Sequence, residues 1–83
     1  MLVSQTNTGR QPAIRLNKND NVLIARHDII AGEYLIEEDI KISQHVPAGY
    51  KLAAKLIKKG EPVRKYNVTI GVASEDITPG ALV

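Results

Sequence analysis

The sequence predicts a small all-β domain of short strands and tight turns, and a repeated turn pattern is the main observation behind this prediction. In each copy an alanine or isoleucine is followed by an aliphatic residue four positions later, then by glycine and a further aliphatic residue at three-residue intervals. Internal repetition of this kind indicates a regular series of similar structural units. The copies are Ala25-Ile29-Gly32-Leu35, Ile42-Val46-Gly49-Leu52, Ala53-Ile57-Gly60-Val63 and Ala73-Ile77-Gly80-Val83.

The glycine of each copy is the expected turn residue. Glycine adopts positive φ without steric cost. Pro47 lies two residues before Gly49, and Pro79 lies directly before Gly80. Proline sets φ for the first turn position and glycine supplies the left-handed one. Each copy is therefore predicted to form a strand, a tight turn and a second strand.

The first half of the chain alternates between short apolar segments and polar turns. Residues 17–21 form a polar cluster of Asn, Lys and Asp, a strong turn signal that predicts a hairpin between the segments flanking it. Residues 37–39 are all acidic and are expected to form a single 3₁₀-type turn. Strands are predicted at 13–16, 22–25, 34–36 and 40–43.

Residues 51–59 are compatible with either a helix or a strand. Leu52, Ala53, Leu56 and Ile57 fall on one helical face, and Gly60 occupies a helix C-cap position. The same alanine, isoleucine and glycine nevertheless match the repeat position for position. We therefore predict a strand and a turn, with an amphipathic helix as the alternative.

The rest of the chain contains two further predicted strands. Residues 63–66 are expected to form one, with Pro62 compatible with an edge position. Residues 70–73, Ile-Gly-Val-Ala, form a β-branched run that predicts a fully buried strand. The last turn, at 76–80, points to one more strand that has barely begun at Val83, so we expect the chain to be part of a longer protein.

Length and composition limit the classes of function. A chain of 83 residues forms one small domain, which buries only about 60 to 65 % of its unfolded surface. It has no cysteine, tryptophan or phenylalanine, so it has no disulfide or thiolate metal site and its core must be aliphatic. Residues 1–12 are polar and are expected to form a flexible leader before a domain at 13–83.

Charge and hydropathy argue against nucleic-acid and membrane partners. The net charge is only +2, whereas nucleic-acid binders concentrate basic residues on one face. No segment approaches the roughly 20 apolar residues of a membrane span, and no secretory signal is present. We therefore expect a cytoplasmic protein that binds neither nucleic acid nor membranes. A sparse core with short exposed strands makes a homo-oligomer through edge pairing conceivable.

The order of these segments resembles the SAF domain, a β-clip fold shared with type III antifreeze proteins. It is most similar to the N-terminal SAF domain of the altronate and galactarate dehydratase family. The most specific segment is Lys-Tyr-x-x-x-Ile-Gly, at 65–71. The other residues that carry the resemblance are Asp20-Asn21-Val22, Asp28-Ile29, Gly32-Glu33, Val46-Pro47-Ala48-Gly49, Gly60-Glu61 and Asp76-Ile77.

The resemblance implies a function in sugar-acid dehydration. Family members remove water from an aldonic or aldaric acid to give a 2-keto-3-deoxy acid, and they use a divalent metal, typically iron. The C-terminal catalytic region of the same enzyme carries most of the active site, so it is the implied partner. The sequence departs from the family at Tyr50, where histidine is usual, and at Asn67, where glycine is usual. The family's His-x-His-Asn motif follows the beginning of the last strand and would lie beyond Val83.

Candidate site residues follow from the same resemblance. Lys51 and Lys65 match the family pattern and suit a substrate carboxylate, and Tyr50 adds a hydroxyl donor. We predict no catalytic residue and no metal ligand in this chain, and iron only in the full-length enzyme. His27, His45 and Asp28 are the conceivable metal ligands, but their spacing does not require a metal, and surface or turn histidines explain them better.

Three functions remain as hypotheses at the level of sequence. The first is an accessory, substrate-binding domain of an altronate dehydratase-like hydro-lyase, inactive alone. The second is a stand-alone carbohydrate-binding or interaction module of β-clip fold, which the high Lys and Glu content disfavours. The third is a chaperone role like that of SAF domains in flagellar and pilus assembly, which the missing export signal disfavours.

Overall fold

The computed structural model describes residues 11–83, which form three small antiparallel sheets. One sheet has three strands in the order β1-β2-β5, and the other two are the pairs β3-β4 and β6-β7. No helix occurs in this part of the chain, and the all-β prediction is confirmed. The strands are β1 Ala13–Ile14, β2 Val22–Ala25, β3 Tyr34–Leu35, β4 Ile40–Lys41, β5 Lys51–Ala53, β6 Pro62–Lys65 and β7 Val68–Val72.

The four copies of the repeat associate in two pairs. The backbones of Ile29 and Val46 exchange hydrogen bonds of 2.9 and 2.8 Å, which joins the first copy to the second. Ile57 and Ile77 join the third copy to the fourth in the same way, at 2.9 and 2.7 Å. The repeated aliphatic residue is therefore the contact point between paired turns.

The four turn glycines, all with positive φ, make a second set of backbone hydrogen bonds between the paired copies. Each glycine N–H donates to the carbonyl of the residue that begins the partner copy, as expected for a turn whose orphan donors must find partners. These bonds are Gly32 to Ile42 at 2.8 Å, Gly49 to Ala25 at 2.8 Å, Gly60 to Ala73 at 2.9 Å and Gly80 to Ala53 at 2.8 Å.

Carboxylates complete the turns from within the repeat. Asp28 Oδ1 accepts from the backbone N–H of Ala48 at 2.9 Å. Asp76, at the equivalent position in the fourth copy, accepts from Lys59 N–H at 2.8 Å. Glu33 and Glu61, each directly after a turn glycine, accept from the N–H three residues earlier in their own turns. Four of the acidic side chains are thus used to satisfy turn backbone.

The central sheet separates two aliphatic clusters, because side chains alternate between the faces of a strand. On β2, Val22 belongs to one cluster and Leu23 to the other, and on β5 Ala53 and Leu52 divide in the same way. The larger cluster contains Ala13, Leu23, Ala25, Ile29, Leu35, Ile40, Ile42, Val46 and Leu52. The smaller contains Val22, Ala53, Ile57, Val63 and Ala73. Each cluster therefore packs around one pair of turn copies.

Several predicted elements are confirmed. Residues 13–14 pair with β2, as expected for the first hairpin. The acidic turn makes bonds of the i to i+3 type, Glu38 N–H to Leu35 at 3.2 Å among them. Residues 51–59 form β5 followed by a turn and contain no helix, because their apolar residues are divided between the two clusters.

The prediction of a fully buried strand at 70–73 is wrong. Every residue of β7 is exposed, and burial resumes only at Ala73. The run belongs to a two-stranded hairpin that contacts the core mainly through Val63 on the other strand. β-branched composition indicated the strand correctly but could not show what covers it.

The two ends of the domain also bear on the predictions. The predicted leader lies mostly outside the described residues, although the Pro12 carbonyl accepts from Arg26 N–H at 2.7 Å. At the other end, Leu82 forms a bridge with Leu52, and Val83 N–H donates to Lys51 at 3.0 Å. The segment after the last turn thus pairs with β5 through a single bridge.

The turn glycines differ in how closely they are packed, which gives a test of the paired turns. A Cβ at Gly80, where φ is +83°, would overlap the carbonyl oxygen of Lys41, whereas a Cβ at Gly60, where φ is +90°, meets open space. We expect Gly60→Ala to cost about 1–2 kcal/mol from the left-handed backbone alone. Gly80→Ala should cost about 1–3 kcal/mol more from overpacking.

Chemical denaturation of the two variants and the wild type measures this difference directly. Equal losses of unfolding free energy in both variants would show that the contact at Lys41 contributes nothing.

Candidate functional surface

The β6–β7 hairpin closes through an unusual two-residue turn. Both turn residues, Tyr66 and Asn67, have positive φ, at 57° and 61°, which corresponds to the type I′ turn favoured in two-residue hairpins. Asn67 replaces the glycine usual in the resembling family and adopts the left-handed conformation that asparagine tolerates. Tyr66 is a bulky residue in a sparsely populated region, and such backbone strain concentrates at functional sites.

Asp20 holds this turn in place. Its side chain is buried, with the residue 4 % exposed. Its two carboxylate oxygens accept backbone N–H groups from Tyr66 at 2.7 Å, Asn67 at 2.6 Å and Asn17 at 3.1 Å. A buried carboxylate is tolerated only when its oxygens are well paired. This one fixes the strained turn to the body of the domain.

The environment of Asp20 also sets its protonation. Burial raises the pKa of the Asp20 carboxyl, but the backbone N–H donors and the positive charge of Arg15 together outweigh burial. The pKa of Asp20 is therefore lower than its ordinary value of 3.8, and the side chain is anionic at neutral pH.

Asn21 attaches the same hairpin along one edge. Its side-chain amide donates to the Pro62 carbonyl at 2.9 Å and accepts from Arg64 N–H at 2.7 Å. These are the bonds that a neighbouring strand would otherwise make to β6. Asp20 and Asn21 together account for the position of the hairpin beside β2.

The outer part of the hairpin is exposed and apolar. Tyr66 is 69 % exposed, Val68 58 %, Ile70 47 % and Val72 63 %. Scattered exposed aliphatic residues are ordinary on a protein surface, but a contiguous set along one strand indicates a contact surface.

Basic residues are concentrated in the segment that leads into and includes β6, the strand paired with β7. Residues 51–65, here called the basic segment, carry six cationic side chains and a single carboxylate, Glu61, for a net charge of +5. Within the described residues none of the six forms a salt bridge, the recorded pairs being Arg15–Glu38 and His45–Asp28. The six are Lys51, Lys55, Lys58, Lys59, Arg64 and Lys65.

The three predicted site residues do not form one cluster. Lys51 is on β5, opposite Ile24 of β2. The exposed Tyr50 directly precedes it, and the Tyr50 carbonyl accepts from Ala25 N–H at 2.9 Å. Lys65 lies beside the hairpin turn, opposite Val68 and next to the Asp20 anchor. In an extended chain Asp20 and Ile24 are about 13 Å apart. Lys65, next to Asp20, and Lys51, opposite Ile24, are therefore at different ends of β2. Contact of Lys51, Lys65 and Tyr50 with substrate stays a prediction.

The histidines are surface residues in this structure. His27 Nδ1 lies 2.9 Å from the Asp28 carbonyl, and His45 Nε2 lies 3.7 Å from Asp28 Oδ2, with both partners of that pair more than half exposed. Asp28 is engaged in the turn bond to Ala48. Residues 11–83 contain no group of three or more His, Asp or Glu side chains placed to hold a metal ion.

Two residues of this surface had no assigned role at the level of sequence. Asp20 was one of five residues in a polar turn cluster, and nothing in its spacing identified residues 66–67 as its partners. Tyr66 was part of a matching motif, but its strained backbone depends on the hairpin register. The motif at 65–71 did mark the right segment, since Lys65-Tyr66 enter the turn and Ile70-Gly71 lie on β7.

Comparison with known proteins identifies the family of the chain. Residues 11–83 match the family model described as the altronate/galactarate dehydratase SAF domain. A curated protein named altronate dehydratase, from Bacillus subtilis (strain 168), is 39 % identical over 69 residues. That alignment covers 81 % of this chain and 14 % of the relative, so the chain spans about a seventh of that protein. Within residues 11–83, no helix is long and apolar enough to cross a membrane.

The Asp20 anchor predicts a specific pH dependence. Because the folded pKa is depressed, the stabilisation is fully present above the unfolded value near 3.8 and is lost as pH falls through the folded pKa. Asp20→Asn should lower the melting temperature at pH 7 and flatten the decline of stability between about pH 5 and pH 2. Thermal unfolding across this range measures both effects.

Glu75→Gln, which removes an exposed carboxylate with no recorded hydrogen bond, is the matched control and should keep the wild-type slope. An identical slope in the wild type and Asp20→Asn would contradict the anchor's role.

Proposed function

Because the chain belongs to the family of altronate/galactarate dehydratase SAF domains, we propose that it is the accessory, substrate-binding domain of a sugar-acid dehydratase. Such an enzyme removes water from an aldonic or aldaric acid to give a 2-keto-3-deoxy acid and is a hydro-lyase. The observation that carries the proposal is the match of residues 11–83 to this family together with 39 % identity to a protein named altronate dehydratase.

The domain is proposed to be inactive alone. Catalysis belongs to the C-terminal catalytic region of the same enzyme, a partner that the small share of the relative covered by this chain supports. Asp20 is the one buried polar or charged side chain in the described residues, and three backbone N–H groups occupy its oxygens. It is not free to accept a proton from a substrate.

The iron implied by the resemblance is not assigned to this chain. A divalent metal prefers several converging carboxylate or imidazole ligands, and residues 11–83 bring no three such groups together. Asp28, the best placed acid, is used by a turn. We propose that any divalent metal of the full-length enzyme has its ligands outside residues 11–83. The protein is expected to act in the cytoplasm.

The basic segment is the proposed contribution to substrate binding. A sugar acid carries a carboxylate at neutral pH, and the six cations of this segment, none in a salt bridge within the described residues, raise the local concentration of such anions. Lys51, Lys65 and Tyr50 remain the residues proposed to contact it. An exposed lysine–carboxylate pair contributes about 0.2–1 kcal/mol, so each contact is expected to be modest.

The proposal is tested with the full-length reading frame that contains this chain. That protein and a version lacking residues 11–83 are incubated with D-altronate and Fe²⁺, and release of 2-keto-3-deoxy acid is followed. We expect activity in the full-length protein, a large loss on deletion and none in the 83-residue chain. A full-length protein inactive on altronate, galactarate and sulfolactate, or a reading frame ending at Val83, contradicts the proposal and favours a stand-alone carbohydrate-binding module.

Single substitutions test the basic segment in the active full-length protein. Lys51→Ala and Lys65→Ala should each raise KM about two- to fivefold, the equivalent of one exposed ion pair, with little change in kcat. Lys41→Ala, an exposed lysine on β4 outside the segment, is the control and should leave KM unchanged. Equal effects at all three positions would mean that general charge, and not these contacts, sets KM.

A further inference from the structure

The outer edge of β7 has no partner in the described part of the chain. β7 is the longest strand and pairs only with β6, whose own outer side is bonded to the Asn21 side chain. β5 is covered on one side by β2 and on the other by the bridge at Leu82. An open strand edge presents unpaired N–H and C=O groups to any extended segment that meets it.

The side chains of β7 do not protect that edge. Val68 to Val72 reads Val-Thr-Ile-Gly-Val, with no charge and no proline, although charged residues and proline are the usual protections of an exposed edge. The register shift between Val63 and Arg64 leaves Ile70 without a Cα partner on β6. This bulge twists the strand locally, which is one way in which sheets turn an edge away, but the other four residues of β7 keep an open outer edge.

We propose that β7 is a docking edge at which an extended, carboxylate-bearing strand of the catalytic region adds to the β6–β7 sheet. This inference rests on the proposed function, which supplies the catalytic region. Strand addition uses main-chain hydrogen bonds for affinity and alternate side chains for specificity. Val68, Ile70 and Val72 supply apolar contacts. Tyr66, in the hairpin turn, lies at the end of the edge.

Charge identifies the occupant as acidic and not as a second copy. Two copies paired through β7 about a two-fold axis would bring two basic segments together, each with a net charge of +5. Like charges opposed across an interface disfavour association. The acidic side chains of a second copy could pair with β7 only through residues 28–39. The strand in that range, β3, has two residues, whereas β7 has five.

The position of the hairpin supports a docking role for the edge. The side chains of Asp20 and Asn21 hold the hairpin by four hydrogen bonds to residues 62–67. Because the hairpin is already fixed to the domain, its open edge does not have to be ordered when a partner binds. The absence of this entropic cost favours binding.

Hydrogen exchange tests the edge directly. The peptide covering Val68–Val72 is followed in the full-length protein and in the 83-residue chain. We expect at least tenfold slower exchange in the full-length protein, because added strand bonds protect the amides. Ile70→Lys, which places a charge on the edge, should restore fast exchange. Ile36→Lys, at an apolar residue 80 % exposed in the acidic turn, should not.

Equal exchange in the full-length protein and the 83-residue chain overturns the proposal. Protection in the 83-residue chain that grows with its concentration, with a dimer seen by light scattering, also overturns it, since the occupant is then a second copy. Dehydratase activity is measured separately. If β7 is protected but the protein is inactive, the docking edge stands and the assigned reaction is wrong. If the protein is active but β7 is not protected, the reaction stands and the docking edge is wrong.

Discussion

The structure depends on a reciprocal bond between turns: a glycine in the left-handed conformation donates to the carbonyl that begins its partner turn. An L-residue with a side chain pays an energetic cost for that conformation. Because each copy both gives and receives this bond, neither turn is satisfied without the other. Short strands of two to five residues are sufficient in such a fold, since the turns and not the ladders carry much of the backbone bonding.

Pairing of turns also explains the two clusters of the core. The first and second copies bury their aliphatic residues on one face of the central sheet, and the third and fourth copies use the other face. A chain without tryptophan or phenylalanine must fill its core with many small contacts. The repeat supplies them in register, because the residue that bonds across a pair is also buried at Ile29, Val46 and Ile57 and half-buried at Ile77.

Much of this fold could be predicted from residues, and the remainder depends on contacts that spacing does not encode. The repeat located all four turns and decided correctly for a strand at Lys51–Ala53 against a convincing helical face. It could not show that the first copy pairs with the second, because spacing defines a unit and not its partner. The exposed β7 was predicted buried because β-branched residues favour strands on either kind of surface. Lys51 and Lys65 were identified by resemblance, and only the register shows that they lie at different ends of β2.

The Asp20 anchor shows how the two functions of the chain, folding and contact, divide between its halves. Burying a carboxylate is costly, and an apolar residue at position 20 would avoid that cost while leaving the N–H groups of the hairpin turn unpaired. The carboxylate is therefore explained by what it positions, a strained turn, an apolar edge and the adjoining basic segment. The opposite half keeps its acidic residues in turns and its aliphatic residues in the larger cluster. Under the proposed function, segregation of this kind leaves one half to stabilise the domain and the other to meet the anionic, partly apolar partner that we propose.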